Sequence, residues 1–274
     1  MPSASGKIKS QARSVVKSLR LCFGMFSKIP VGAPDWSEEA RRYLMCSLPV
    51  VGAVLAGVLF LAGLAANALT LPPVLTTILI FAAPIAFTGG IHLDGLCDTC
   101  DALGSNAPPE KKREILKDPR AGAFGVIGVC VYLLCFFALC LQYAQLPLTV
   151  ARLIPLCAVF FVSRVTTAGL VVGAKASSSA GLNAQFHADA ARRATMVFLT
   201  ALILAFAVVG AFLFGGVYAD ATIAVLAANL AAVLYARLCL APKFGGFSGD
   251  LAGFSLCIAE LLGLAAITVL EIYK

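Results

Sequence analysis

Apolar residues dominate this chain in long runs, and its polar positions are gathered into short segments between them. Seven runs, at about 43–68, 72–90, 122–143, 148–173, 194–215, 219–241 and 250–272, are long enough to span a bilayer. A hydrocarbon core about 30 Å thick takes about 20 apolar residues in helical form. Ahead of them, "SVVKSLRLCFGMF" sets Val15, Val16, Leu19, Cys22, Phe23 and Phe26 at helical spacing, with Lys17 and Arg20 on the other side. That pattern suits a helix lying in the membrane interface, or an ordinary basic helix against the bundle. The basic start lacks a following apolar core and small-residue cleavage site, so a removable signal peptide is not expected. The prediction is an all-α polytopic membrane bundle, with residues 1–274 forming a single domain.

Composition agrees with this. Hydrophobic residues make up 60% of the 274, charged residues only 13%, and the mean hydropathy is +0.93. A soluble domain carries roughly 25% charged residues. The net charge of +7 raises the question of nucleic acid, which the placement of the charges answers. With a cytoplasmic N-terminus and alternating spans, the cytoplasmic segments are 1–42, 91–121, 174–193 and 242–249. These segments, with Arg237, hold all of the 21 Lys and Arg residues except Arg152, Arg164 and Lys274. The opposite loops, "ANALTLPP", "YAQLP" and "GGVYAD", hold none. The positive-inside rule accounts for the basic balance, so the expected surroundings are a cell (inner or plasma) membrane and no nucleic acid.

Every polar, glycine-marked segment then falls on the cytoplasmic face. A transporter more usually carries its ionisable residues near the midplane, in broken helices. A site at the membrane surface reads as an enzyme. The central segment is "TGGIHLDGLCDTCDALGS" (88–105), where Asp94, Asp98 and Asp101 stand at i, i+4 and i+7 of a helix. Three like charges on one helical face repel, unless each meets water or a cation lies between them. No basic residue occurs between 43 and 110 to pair with them locally. Carboxylate-only donors favour a hard divalent ion, and Mg²⁺ typically keeps waters and shares substrate phosphates. Cys97 and Cys100 form a C-x-x-C in the same stretch, but no second pair or His partners at zinc spacing accompany them. The ten cysteines are expected to be mostly reduced.

Two other segments supply what phosphate handling needs. "LKDPRAG" brings Lys117 and Arg120 beside Asp118, and "GGFSGD" brings Gly245, Gly246, Ser248 and Asp250 just ahead of the last span. Glycine-rich turns at helix N-termini bind anions. With the triple-Asp helix on the same face, they suggest metal-assisted phosphoryl transfer. Arg164 lies within the fourth span, to snorkel, pair or contact phosphate. Glu260 shares a stripe with Asp250, Gly253 and Cys257 in the last span and is expected to support the site from beneath. Arg152 reads as an interfacial anchor, and neither His92 nor His187 reads as catalytic.

"GGIHLDGLCDTCDALGS", "ILKDPRAGAFGV", "VSRVTTAGL", "GLNAQF" and "FGGFSGDLAGFSLCIAE", in that order, resemble the cobalamin (adenosylcobalamin 5′-phosphate) synthases, also called adenosylcobinamide-GDP ribazoletransferases. The N-terminal "FSKIPVG" also resembles that family. The resemblance implies the last assembly step of the vitamin B12 nucleotide loop. A ribose hydroxyl of α-ribazole, or of its 5′-phosphate, attacks the phosphate attached to cobinamide in adenosylcobinamide-GDP, GMP leaves, and Mg²⁺ assists. Carried onto this chain, Asp94, Asp98, Asp101, Asp118 and Asp250 are the metal and pyrophosphate candidates. Lys117, Arg120 and Arg164 would hold phosphates, and any general base would be one of the three α-helical aspartates.

The chain departs from the family pattern at Cys97, Ala102, Pro119, Ser248 and Cys257, where the family usually has a small residue, Gly, Ser, Thr and an acidic residue. Ser248 keeps the hydroxyl; Cys257 puts in doubt any essential carboxylate at that place. Two alternatives stand beside this reading. A CDP-alcohol phosphotransferase would carry Ala-Arg soon after a D-x-x-D-G start, which is missing here. A transporter of a cation or small metabolite would show midplane charges and internal repeats. The sequence leaves a homo-oligomer open.

Overall fold

The computed structural model describes residues 4–177, 191–212 and 216–273. Among them the only regular structure besides helices is an isolated parallel bridge between Ala176 and Phe247. The helix α1 (Ala4–Phe26) and the short α2 (Glu38–Arg41) precede α3 (Leu44–Ala68), α4 (Pro73–Thr88) and α5 (Ile91–Gly104). The short α6 (Pro109–Ile115), α7 (Ala123–Tyr143) and α8 (Val150–Gly173) follow, then α9 (Arg192–Phe212) and α10 (Gly216–Leu234). A π-helical turn (Tyr235–Leu240) and a 3₁₀ turn (Ala241–Phe244) lead to α11 (Gly249–Ile272).

Six helical segments are long and apolar enough to cross a membrane: α3, α7, α8, most of α9, the run Tyr218–Phe244 and α11. The seventh expected span differs. The run 72–90 forms α4, whose 16 residues extend about 24 Å at 1.5 Å per residue, short of a core about 30 Å thick. Gly89 and Gly90 then take φ of 65° and 79°, and α5 leaves at 86° to α4. Two successive left-handed positions are costly for any residue with a Cβ, so the glycine pair makes the corner. The number of spans reaches seven only if α4 and α5 are counted together as one broken span.

The bundle is organised around α8, which packs on α3, α9, α10 and α11 and is buried along most of its length. Outward-facing Leu61, Leu134, Leu204 and Ile223 are exposed on four different helices. A water-soluble protein does not present apolar surface on this scale, whereas hydrocarbon accepts it.

The connecting segments gather at two ends, as alternation of the spans requires. At one end Arg113 donates to the Phe244 carbonyl (3.2 Å), Phe247 N–H to Lys175 (2.8 Å), Ser177 N–H to Phe247 (3.0 Å) and Ala191 N–H to Arg42 (3.1 Å). These contacts link all four of the basic segments. At the other end Arg152, at the start of α8, is buried and held by protein groups. Its guanidinium donates to the carbonyls of Tyr143, Leu146 and Pro147, lies 4.4 Å from the Tyr143 ring centroid and pairs with Glu271 at 3.1 Å.

The helix α1 forms as predicted and packs Cys22, Phe23 and Phe26 of the expected apolar face on the core, but the docked face is shifted toward two serines. Ser14, Ser18, Leu21 and Cys22 are buried, and α1 packs on α3, while Val15 and Val16 are exposed. Small serines let two helices approach closely, and the Ser18 hydroxyl accepts the Tyr43 N–H at 3.2 Å. On the polar side Lys17 bridges Asp35 (3.1 Å) and Glu39 (2.8 Å).

Candidate active site

The three aspartates of α5 have separate fates. Asp101 reaches the start of α7, where its carboxylate accepts the N–H groups of Gly122 (2.5 Å) and Gly125 (2.8 Å). The first N–H groups of a helix lack partners inside it, and the dipole there favours an anion. Asp101 therefore caps α7 from a neighbouring helix. A Cβ at Gly122 or Gly125 would collide with that carboxylate, which explains the two glycines.

Asp94 and Asp98 are joined instead by Asp250. Gly95, between them on α5, approaches the first turn of α11 so closely that a Cβ would stand 2.8 Å from the Asp250 carbonyl oxygen. Gly253 meets α5 in the same way, its Cβ position being 3.1 Å from the His92 carbonyl oxygen. Facing glycines bring two helix backbones nearly into contact, and the Asp250 carboxylate arrives with them. Asp98, on α5 and outside the six spans, feels the result. Burial pushes its carboxyl up to about 6, with the negative charges of Asp94, Asp250 and Asp101 adding to the effect.

Among the described residues, Asp94, Asp98 and Asp250 make no ion pair. No three His, Cys, Asp or Glu side chains among them already stand close enough to enclose a metal. The donor set nonetheless fits Mg²⁺. It is all oxygen and uncompensated by cations, and this ion completes its octahedron with waters and substrate phosphates rather than an all-protein cage. The thiols of Cys97 and Cys100 are free and lie against Gly125 and Gly128 of α7, a packing role.

A cavity of about 500 Å³ adjoins the carboxylates. Of the residues expected to bind metal or phosphate, Asp94, Lys117, Ser248 and Asp250 line it. Ser248 also caps α11, its hydroxyl accepting the Leu251 N–H at 3.3 Å. Arg113, which no sequence motif marked, lines the cavity too. Its spacing four residues before Lys117 was the available signal, since it puts both cations on one side. His92 is buried at the cavity wall and stacks on Phe26, with ring centroids 5.9 Å apart.

Other expected site residues lie elsewhere. Arg120 grips Asp118 with Nε at 2.9 Å and Nη2 at 2.8 Å in an exposed loop, and that guanidinium, helped by the Arg120 N–H, holds the Asp118 carboxyl down near about 2. Neither residue lines the cavity, so Asp118 as a metal ligand and Arg120 as a phosphate holder do not match this geometry. Gly245 and Gly246 spend their N–H groups on the carbonyls of Pro242 (3.2 Å) and Ala241 (3.0 Å), which removes them as anion donors. Their φ of 67° and 145° shape the turn that lets Phe247 pair with Lys175 and Ser177. Arg164 neither snorkels nor faces the cavity. It is buried in an ion pair with Glu260, and its guanidinium also donates to the Phe160 carbonyl (3.1 Å) and Ser163 Oγ (3.0 Å). Glu260 thus supports the bundle beneath the site by joining α8 to α11. "GLNAQF" and His187 lie outside the described residues.

Comparison with known proteins covers nearly the whole chain. The family model described as cobalamin-5-phosphate synthase matches residues 18–268. An adenosylcobinamide-GDP ribazoletransferase from Lachnoclostridium phytofermentans is 36% identical over 93% of this chain and 95% of its own length. Proteins of the same name from Clostridium botulinum (strain Alaska E43) and Desulfitobacterium hafniense are 31% and 32% identical, over 92% and 91% of this chain and 97% and 95% of their own lengths. No solved structure matches the chain. A carboxylate and cation site at one end of a membrane-type helical bundle, with a family match along nearly the whole chain, leads to one conclusion: the chain belongs to the cobalamin-5-phosphate synthase family.

Proposed function

We propose that the protein is an adenosylcobinamide-GDP ribazoletransferase that completes the cobalamin nucleotide loop in the cell membrane, with Mg²⁺ and from the cytoplasmic side. The observation that carries this reading is the convergence of Asp94, Asp98 and Asp250 beside a cavity walled by Arg113 and Lys117. The basic segments that meet at the same end of the bundle support a cytoplasmic orientation. Asp94, Asp98 and Asp250 would hold Mg²⁺, which when bound neutralises charge on the phosphates.

In the reaction, the ribose hydroxyl oxygen of ribazole bonds to the phosphorus that carries the cobinamide alcohol. The bond from that phosphorus to the bridging oxygen breaks, and GMP departs with the bonding pair. Asp94 is the one helix aspartate of the three that lines the cavity, so it is placed to take the hydroxyl proton. Arg113 and Lys117 line the same cavity and would hold a substrate phosphate there.

The test is GMP release and corrinoid product from purified protein given adenosylcobinamide-GDP and either α-ribazole or its 5′-phosphate, with and without Mg²⁺. Product that requires Mg²⁺ and is lost in folded Asp94→Asn and Asp98→Asn is expected. A well-folded wild type that turns over neither ribazole form would refute the reading.

A further inference from the structure

We propose that the cavity takes the ribazole nucleotide with its base inward and its 5′-phosphate on Arg113 and Lys117, while the corrinoid nucleotide reacts from outside the mouth. This rests on the reaction proposed above and adds which substrate occupies which place.

Size is the first argument. A volume of about 500 Å³ lies within the roughly 300–1,000 Å³ typical of small-ligand sites. A mononucleotide fits such a space. A corrin macrocycle carrying adenosyl and GDP groups is several times larger and does not.

The cavity is also graded in polarity. Met45, Leu48 and Leu256 are buried at its floor, whereas Asp94 and Lys117 are exposed and mark its mouth. The base of ribazole, a dimethylbenzimidazole, has no exocyclic polar group and a single ring-nitrogen acceptor, so it loses little when set among such side chains. Guanine presents O6, N1–H and N2–H groups, more than His92 and Thr167, the buried polar side chains of the lining, can pair, and burying unsatisfied polar groups is costly. The apolar floor therefore selects ribazole over the guanosine end of the other substrate.

The charges divide by wall. The carboxylates come from α5 and α11, the cations from α6 and the turn after it. With the base on the floor, the ribose is held between the two walls. Its 5′-phosphate is repelled by Asp94 and Asp250 and drawn to Arg113 and Lys117, which leaves the attacking hydroxyl on the carboxylate side. Arg113 is held in place by the Phe244 carbonyl (3.2 Å) and Glu110 (3.4 Å). A guanidinium has five N–H donors, so enough remain for a forked grip on phosphate.

The experiment compares kcat/KM for α-ribazole 5′-phosphate and for unphosphorylated α-ribazole. A charge-assisted hydrogen bond implies that Arg113→Ala lowers the ratio of the two by about 10- to 100-fold. Arg113→Lys, which keeps the charge and loses the fork, is expected to lower it less. A ratio unchanged in Arg113→Ala, or a raised KM for adenosylcobinamide-GDP with both ribazoles slowed equally, would overturn the assignment by placing these cations on the diphosphate. Calorimetry without corrinoid separates this from the proposed reaction. Wild type is expected to bind α-ribazole 5′-phosphate, and Leu48→Trp, which fills the floor, is expected not to. Binding by wild type without any turnover would leave the pocket standing and sink the reaction; turnover with undiminished nucleotide binding in folded Leu48→Trp would sink the pocket.

Discussion

Replacing Asp101 separates a capping role from the metal role that its place beside Asp94 and Asp98 suggests. Asp101→Ala removes both acceptors of the Gly122 and Gly125 N–H groups at the start of α7. Two charge-assisted bonds at ~1.5–3 kcal/mol each would amount to several kcal/mol. Losing a single N-cap side chain costs only ~0.5–2 kcal/mol, because water takes over part of the bonding. Asp101 is half-buried, so water reaches the vacated N–H groups and the upper part of the capping range applies, about 2 kcal/mol. At ~2–4 °C per kcal/mol for a chain of this order of size, the melting temperature drops by about 4–8 °C. Asp101→Asn keeps one acceptor and loses the charge, and is expected to fall roughly halfway between. The assay is thermal unfolding of the detergent-solubilised protein without divalent metal, with Asp94→Ala as the comparison. Asp94 is exposed and caps nothing, so Asp94→Ala is expected to melt with wild type. An Asp101→Ala protein that also melts with wild type would refute the cap.

Two further outcomes follow from the buried charges. Removing either partner of the Arg164–Glu260 pair, as in Arg164→Met or Glu260→Gln, leaves the other without its counter-charge and is expected to cost ~3–5 kcal/mol. Arg164→Met combined with Glu260→Leu is expected to recover most of that loss, and thermal unfolding of the three variants decides it. Asp98 has a folded pKa of about 6, above its ordinary value of 3.8. The fold therefore favours the neutral acid, and its contribution to stability is full below about pH 4 and is lost as pH rises through about 6. In EDTA, wild type is expected to lose thermal stability across that window and Asp98→Asn to lose less, and a flat wild-type profile would count against the carboxylate cluster.

Much of the fold is legible along the chain because hydropathy belongs to each residue by itself. Six of the seven apolar runs became helices long enough to span, and the basic segments meet at one end. The exception turns on Gly89 and Gly90, which mark a turn by their own flexibility but add no polarity to the run 72–90, so hydropathy alone does not register the bend there. Part of the face by which α1 docks was also hidden, because Ser14 and Ser18 are chosen for small size at a close helix contact rather than for hydrophobicity.

Within the site, the sequence by itself determined the family, the acidic helix α5 and the cations that follow it, all of which are local patterns of residue type and spacing. Only the tertiary structure decided which of these residues meet. It gave Asp101 to α7, brought Asp250 to Asp94 and Asp98, put Arg113 at the cavity, and spent the N–H groups of Gly245 and Gly246 on their own turn. Arg164 and Glu260, 96 positions apart, found each other in the same way. The physical reason is that a side chain's partner depends on how closely two helices approach. That distance is set by small residues on both, as at Gly95 and Gly253, and spacing along one helix does not contain it.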